Sequence, residues 1–95
     1  MNSMQTQKSP IYLKAITIRD INDMPSIKDE IKKDIILILR VTPLAQKDIE
    51  ELRKIIEELY RYVRSTGGDI ARLGEERVVV TPPSVKIWRE SYDLK

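Results

Sequence analysis

The chain has 95 residues, of which 41% are hydrophobic and 34% charged, a composition typical of one small globular domain. Its 17 basic and 15 acidic residues leave a net charge of +2, too small an excess to favour nucleic acid as a partner. Cysteine and histidine are absent, which excludes disulfides, thiolate nucleophiles, imidazole bases and Cys/His zinc sites. The acidic residues of the predicted long helix stand beside Lys and Arg, which indicates a solvated face instead of an acid/base pair. We predict no catalytic residue, no metal and no cofactor.

The boundaries of the folded part follow from composition. Residues 1–10 are polar and are predicted to be a flexible tail, residues 11–90 form the predicted domain, and residues 91–95 form a second tail. No apolar run reaches the ~18 residues of a membrane-spanning helix, and the chain has no secretion signal. We therefore expect a cytoplasmic protein.

The first half of the chain predicts a strand, a helix and a second strand. The β-branched residues of 11–20 predict the first strand. Asp23 followed by Pro25 is a helix start signal, and apolar residues on one face extend the predicted helix over 24–33. Five consecutive aliphatic residues within 34–41 predict a buried strand.

A single long helix is predicted from Thr42-Pro43 to the glycine pair Gly67-Gly68, which would end it. Its core-facing stripe recurs at spacings of three and four residues. The stripe consists of Ile49, Leu52, Ile56, Leu59 and Val63.

A β-hairpin is predicted next. Strands over 70–73 and 77–81 are joined by Gly74-Glu75-Glu76, and Pro82-Pro83 ends the second strand because proline cannot donate to a ladder. Residues 84–88 are predicted to add a short edge strand. The element order β-α-β-α-β-β(-β) defines the predicted fold class: α+β, a two-layer α/β sandwich with two helices on one face of a mixed sheet.

The central strand predicts a homodimer. Ile36 and Ile38 point away from the face that the helices cover, and leaving them in water would forgo ~1.5–3 kcal/mol per side chain. We expect a second copy to cover this face; the alternative is that the C-terminal segment folds over it. Ile55, Tyr60 and Tyr62 lie outside the predicted helical stripe, and they are either a broad core face or a second contact between copies.

The hairpin also carries two arginines, Arg72 and Arg77. One interpretation is ordinary edge-strand charge, which discourages aggregation. The other is a basic, half-apolar groove that accepts a short peptide. In the second interpretation the apolar part of the groove is Ile70, Val78 and Val80.

The segment "GDIARLGEERVVVTPPSVKI" resembles the C-terminal signature of the SepF family of cell-division proteins, and the resemblance extends over about residues 12–87. It implies a non-enzymatic adaptor that dimerises, binds the C-terminal tail of the tubulin-like GTPase FtsZ, and links the division ring to the inner face of the membrane. On the matching positions it implies that Arg72 pairs with a peptide carboxylate and that Val78 belongs to the apolar seat.

Two departures from the bacterial family pattern set further expectations. Val63 and Arg64 stand where the bacterial family has a glycine used in polymerisation, so a dimer of the compact archaeal type is expected instead of a polymer. The N-terminal residues have no apolar helical face, so this chain is not expected to bind bilayers by itself. The alternative function is an Alba-like nucleic-acid-binding dimer, which has the same element order but should concentrate its basic residues on one face.

Overall fold

The computed structural model describes residues 10–89, which form a four-stranded sheet with helices packed on one face. The strands are β1 (Leu13–Thr17), β2 (Ile36–Arg40), β3 (Asp69–Leu73) and β4 (Arg77–Thr81). A turn of 3-10 helix (Ile21–Asp23) leads into α1 (Met24–Ile31), and α2 (Thr42–Lys47) and α3 (Ile49–Ser65) connect β2 to β3. The predicted tails, apart from Pro10, lie outside the described residues, as does residue 90 of the predicted domain.

The strand order in the sheet is β1-β2-β4-β3. β1 and β2 run parallel, and β4 runs antiparallel to both β2 and β3, so the sheet is mixed as predicted. Both helical connections move in the same direction across the sheet. The three helices and the inward side chains of the strands share one hydrophobic core, which confirms the two-layer α+β fold.

The core forms where the apolar stripe of each helix meets alternate residues of the strands. Leu37 and Leu39 of β2 are fully buried there, opposite Val80 and Val78 of β4. The helices contribute a matching set of buried aliphatic residues at helical spacing. These are Met24, Ile27, Ile31, Leu44, Leu52, Ile55, Leu59 and Val63.

The predicted long helix is two helices, because the chain is extended at Asp48 (φ −160°, ψ 97°). The Asp48 backbone N–H still donates to the Leu44 carbonyl at 2.8 Å, which closes α2. Its carboxylate accepts from the Glu51 backbone N–H at 3.1 Å and caps α3. A side chain that competes for backbone N–H groups therefore ends one helix and begins the next.

The helical stripe also needs correction. Ile49, predicted to face the core, is 53% exposed, and Ile56 is half-buried at the flank of the core. Ile55, predicted to lie outside the stripe, is fully buried. The prediction fails because the buried stripe runs through Leu52, Ile55, Leu59 and Val63. Ile49 and Ile56 lie together on the edge of this stripe.

The predicted strand over 84–88 is wrong: the described part of this segment has no strand structure. It is attached to the sheet through side chains instead. The Thr81 hydroxyl donates to the Val85 carbonyl at 2.7 Å, and the Ile87 N–H donates to the Asp69 carboxylate at 3.0 Å. Pro82-Pro83 turns the chain away from the ladder before a new strand can pair.

Candidate functional site: a groove between α3 and the hairpin

A shallow groove lies between the first half of α3 and the outer strand of the hairpin. Its volume is about 210 Å³, below the ~300–1,000 Å³ of small-molecule sites. A groove of this size suits a few side chains of a short peptide. The groove is lined by Ile49, Leu52, Arg53, Ile56, Glu57 and Arg72.

The apolar part of the groove comes from the flank of α3. Leu52 is buried and belongs to the core, whereas Ile49 is 53% exposed and Ile56 is half-buried. Ile49 and Ile56 are seven residues apart, which is two helical turns, so they share one side of the helix. This spacing creates an aliphatic strip that solvent can reach beside the hairpin.

The charged part of the groove comes from both elements. The Arg72 guanidinium donates to the Glu75 backbone carbonyl at 3.0 Å, and the left-handed Gly74 (φ 67°) makes the tight turn between them. Arg53 on α3 contacts Glu50, one turn earlier, at 2.9 Å. Because this pair is exposed and the Arg72 bond uses one N–H group, both guanidinium groups retain donors for a carboxylate.

Arg72 and Arg77, the predicted basic pair, lie on opposite faces of the hairpin. Arg72 is directly opposite Val78 on the helix side, and Arg77 is directly opposite Leu73 on the other side. Both arginines are exposed. The structure therefore brings only Arg72 to the groove.

The three aliphatic residues predicted to seat a peptide are buried in the core. Ile70, Val78 and Val80 are each at most 1% exposed. They lie beneath the helices, so their side chains are not accessible to a peptide in the groove. Their role in peptide binding stays a prediction, and the accessible aliphatic residues beside Arg72 are those of α3.

The residues predicted for self-association divide into two sets. Ile36 and Ile38 are half-buried on the sheet face away from the helices. Tyr60 and Tyr62 are half-buried beside the core, and the Lys28 ammonium lies 5.2 Å from the centre of the Tyr62 ring. Ile55 is fully buried, so it is unavailable as a contact from the helix surface.

The outer sheet face is called the open face here. Ala15, Ile38, Val79 and Ala71 neighbour one another in register across its centre, and Ile36 lies two residues before Ile38 on β2. Its aliphatic residues do not belong to the core under the helices. Val79 is 8% exposed between Ile38 and Ala71, and Leu13 at the β1 edge is 62% exposed. The open face is thus an apolar surface with no helix over it among residues 10–89.

The edge of β3 is held by the C-terminal segment. Both Asp69 carboxylate oxygens accept from the Arg89 guanidinium, at 3.1 and 3.2 Å, and Arg89 also donates to the Ile70 carbonyl at 3.0 Å. The Arg89 contact, aided by the N–H groups of Ile87 and Ile70, lowers the pKa of Asp69 to about 2. The ion pair also raises the pKa of Arg89.

Sequence reasoning missed the contribution of α3 to the groove. The helical pattern places Ile49 and Ile56 in the core and gives no role to Arg53. A signal was present in the sequence, because Ile49 and Ile56 are seven residues apart. The buried stripe of α3 consists of Leu52, Ile55, Leu59 and Val63 and does not need them. The two isoleucines are therefore additional apolar residues at the edge of the buried stripe.

None of the described helices is long and apolar enough to span a bilayer. The mixed sheet with helices over one face and a groove beside the hairpin define an α+β domain. The family profile described as "Cell division protein SepF" matches residues 13–87. The chain belongs to the SepF family of cell-division proteins.

Three relatives show the extent of this similarity. The cell division protein SepF of Haloferax volcanii is 29% identical over 71 residues, which span 75% of this chain and 59% of that protein. The SepF-like protein from Pyrococcus furiosus is 33% identical, with a TM-score of 0.77 over 86% of this chain and 99% of that structure. The SepF-like protein from Archaeoglobus fulgidus is 27% identical, with a TM-score of 0.76 over 85% of this chain and 96% of that structure.

Proposed function

We propose that the chain is a non-enzymatic adaptor that dimerises, binds the C-terminal tail of FtsZ, and acts at the division site on the inner face of the membrane. Membership in a family of cell-division proteins supports a role in division. The observation that carries the proposal is the groove between α3 and the hairpin, where Arg72, the position expected to bind a peptide carboxylate, lies beside exposed aliphatic side chains.

The chemistry of the groove suits a short peptide with aliphatic and acidic residues. Ile49 and Ile56 offer an apolar strip, and Arg53 and Arg72 offer guanidinium donors at its rim. Guanidinium groups bind carboxylates through paired hydrogen bonds. A groove this small buries few side chains, and an extended peptide must lose its conformational freedom on binding, so a modest and reversible affinity is expected.

The open face supports the proposed homodimer. Ile36 and Ile38 are half-buried by their neighbours in the sheet, while Leu13 and Leu73 at its two edges are 62% and 49% exposed. A second copy packed face to face, at ~10 Å between the sheets, would remove this apolar surface from water. The C-terminal segment, the alternative cover, contacts Asp69 and Thr81 at one end of the sheet.

Titration of a fluorescent FtsZ C-terminal peptide tests the adaptor function. Arg72→Glu and Ile49→Asp are each expected to weaken binding at least tenfold, because one reverses the charge at the rim and the other places a carboxylate in the apolar strip. Both side chains are exposed, so the fold should be retained, and circular dichroism checks this. Val78→Asp would be a poor test, since a carboxylate at a fully buried position unfolds the core.

The matched control is Arg61→Glu, which makes the same charge change on the exposed surface of α3, outside the groove lining. It should bind the peptide with at most a twofold loss. Unchanged binding by both groove variants would remove the groove from the proposal, and an absence of binding by the parent chain would refute the adaptor function itself.

A further inference from the structure

The last described part of the chain lies against the edge of β3 and leads toward the groove. The Ile87 backbone N–H donates to the Asp69 carboxylate at 3.0 Å. Two residues later, the Arg89 guanidinium donates to the Ile70 carbonyl at 3.0 Å. The contacts of this segment therefore advance along β3 in the direction that leads from Asp69 to Arg72, the groove residue of the hairpin.

The same segment also approaches the side of α3 that continues into the groove. The pKa of Arg89 is raised by Asp69 and, to a smaller extent, by Tyr60 of α3, so the guanidinium group is within electrostatic range of this helix. Ile56 is four residues before Tyr60, which is ~6 Å along a helix axis, and Arg53 is about one further turn away. Both of these residues line the groove.

Six residues follow Arg89 in the sequence, and they are long enough to cover the groove. Residues 90–95 are called the hexapeptide here; they lie outside the described residues. Arg72 is three residues after Asp69, which is ~10 Å along an extended strand. Six extended residues span up to ~20 Å, so the hexapeptide can extend from Arg72 as far as Ile49 at the far end of the groove.

The chemistry of the hexapeptide matches that of the groove. It contains two carboxylates, Glu90 and Asp93, and one aliphatic side chain, Leu94. The groove presents the guanidinium groups of Arg53 and Arg72 beside the aliphatic strip of α3. Charge and apolar character are therefore complementary between the groove and the chain that ends its described part next to it.

We propose that the hexapeptide occupies the groove of its own chain and competes there with the partner peptide. Its carboxylates pair with the two groove arginines, and Leu94 lies on the strip that Ile49 and Ile56 form. The competition rests on the peptide binding of the proposed function. Occupancy of the groove by the hexapeptide does not depend on that function.

The attachment of the preceding segment is what favours this occupant. Because Ile87 and Arg89 are already held at the edge of β3, the hexapeptide starts close to the groove and loses little chain entropy when it enters. A short tether gives an effective concentration on the order of millimolar. Contacts too weak to hold a free peptide of the same sequence can therefore fill the groove for part of the time.

Amide chemical shifts of the full chain test the occupancy without any partner. Leu94→Ser removes the aliphatic side chain without a change in charge, and Leu94→Met, which keeps an apolar side chain of similar volume, is the matched control. Leu94→Ser should shift the backbone amides of Arg53, Ile56 and Arg72, whereas Leu94→Met should leave them in place. The amide of Ile38, on the open face, should not move in either variant. Groove amides that stay unchanged in Leu94→Ser would overturn the inference.

Neutralising the two carboxylates gives a second variant for the same measurement. The double substitution Glu90→Gln with Asp93→Asn preserves the size of both side chains and removes their charges. It should shift the same groove amides as Leu94→Ser, because both variants release the hexapeptide. Shifts confined to amides outside the groove would show that the carboxylates pair elsewhere, which overturns the proposed contacts.

Titration with the fluorescent FtsZ C-terminal peptide tests the competition. Leu94→Ser should tighten binding about threefold, because a groove that its own chain fills about two-thirds of the time has its apparent affinity reduced by that factor. Leu94→Met should bind as the parent does. Equal affinities of the parent and Leu94→Ser would overturn the competition. An absence of binding by all three proteins would refute the adaptor function, and the amide shifts would then still decide whether the hexapeptide occupies the groove.

Discussion

At the residue scale, Asp69 connects the end of the chain to the sheet. Its carboxylate accepts from the Arg89 guanidinium and from the backbone N–H groups of Ile87 and Ile70, and these contacts lower its pKa from the ordinary 3.8 to about 2. A depressed folded-state pKa means that the ionised carboxylate stabilises the fold. This contribution is complete above pH ~4, the value for the unfolded chain, and is lost as the pH falls through about 2.

Asp69→Asn should therefore lower the free energy of unfolding at pH 7 by roughly 1–2 kcal/mol. This range is smaller than the pKa shift alone would give, because the Arg89 partner is half-exposed and solvent screens the ion pair. The difference between variant and parent should shrink between pH 4 and pH 2. Urea denaturation at pH 7, 4, 3 and 2 measures it. A difference that stays constant down to pH 2 would mean that the ionised carboxylate contributes no stability.

Asp48 decides where the long helical segment divides. Its carboxylate caps the N-terminus of α3 through the Glu51 N–H. Asp48→Ala should lower the free energy of unfolding by about 1 kcal/mol, whereas Asp48→Asn, which can still accept this hydrogen bond, should cost a few tenths. Thermal denaturation of the two variants measures the contrast, and equal losses would show that the cap adds no stability.

At the element scale, the passage from α3 to β3 depends on a close backbone approach. A Cβ at Gly68 would overlap the Thr81 carbonyl oxygen of β4, whereas a Cβ at Gly74 in the hairpin turn would meet no atom within 4 Å. The two glycines are therefore needed for different reasons. Gly68 lets α3 lie close to the sheet, and Gly74 supplies a left-handed turn (φ 67°).

Gly68→Ala is consequently expected to destabilise the protein by more than 2 kcal/mol, because backbone must move to accept the methyl group. Gly74→Ala, the matched control, should cost about 1 kcal/mol, the usual penalty for alanine in the left-handed region. Thermal unfolding of both variants compares them. A Gly68→Ala protein as stable as the Gly74→Ala protein would contradict the steric argument.

Elements specified by local chemistry were predictable from the sequence. The hairpin was predicted within one residue, because Gly74 marks its turn and Pro82 ends its second strand. The break between α2 and α3 at Asp48 was not predicted, because an aspartate within a helical pattern is equally consistent with an exposed residue of one continuous helix. The predicted strand over 84–88 was wrong because the spacing of its apolar residues cannot reveal that Ile87 and Arg89 bind the Asp69 carboxylate and the Ile70 carbonyl of β3 instead of pairing as a strand.

At the scale of the whole molecule, the proposed dimer depends on the open face. Ile38→Lys should shift the proposed dimer to monomer, because a lysine ammonium at the centre of the interface would lose its hydration. Ile38 is only half-buried in a single copy, so the monomer should stay folded. Sedimentation velocity measures the mass, and circular dichroism checks the fold.

The control for this change is Ile21→Lys, at a 44% exposed isoleucine in the 3-10 turn, whose backbone N–H donates to Glu51 of α3. It should sediment as the parent does. A dimer that survives Ile38→Lys would show that the open face is not the contact.

The sequence by itself determined the order of the four strands and of the helical segments between them, the two-sided apolar character of β2 and the family resemblance, because each depends on residues close together in the chain. Only the tertiary structure decided which residues line the groove and which arginines lie together. Arg72 and Arg77 are five positions apart yet lie on opposite faces, whereas Arg40 and Arg77 are 37 positions apart yet directly opposite. The physical reason is that the pairing of strands and the rotation of α3 about its axis are set by packing the whole core, which no local pattern encodes.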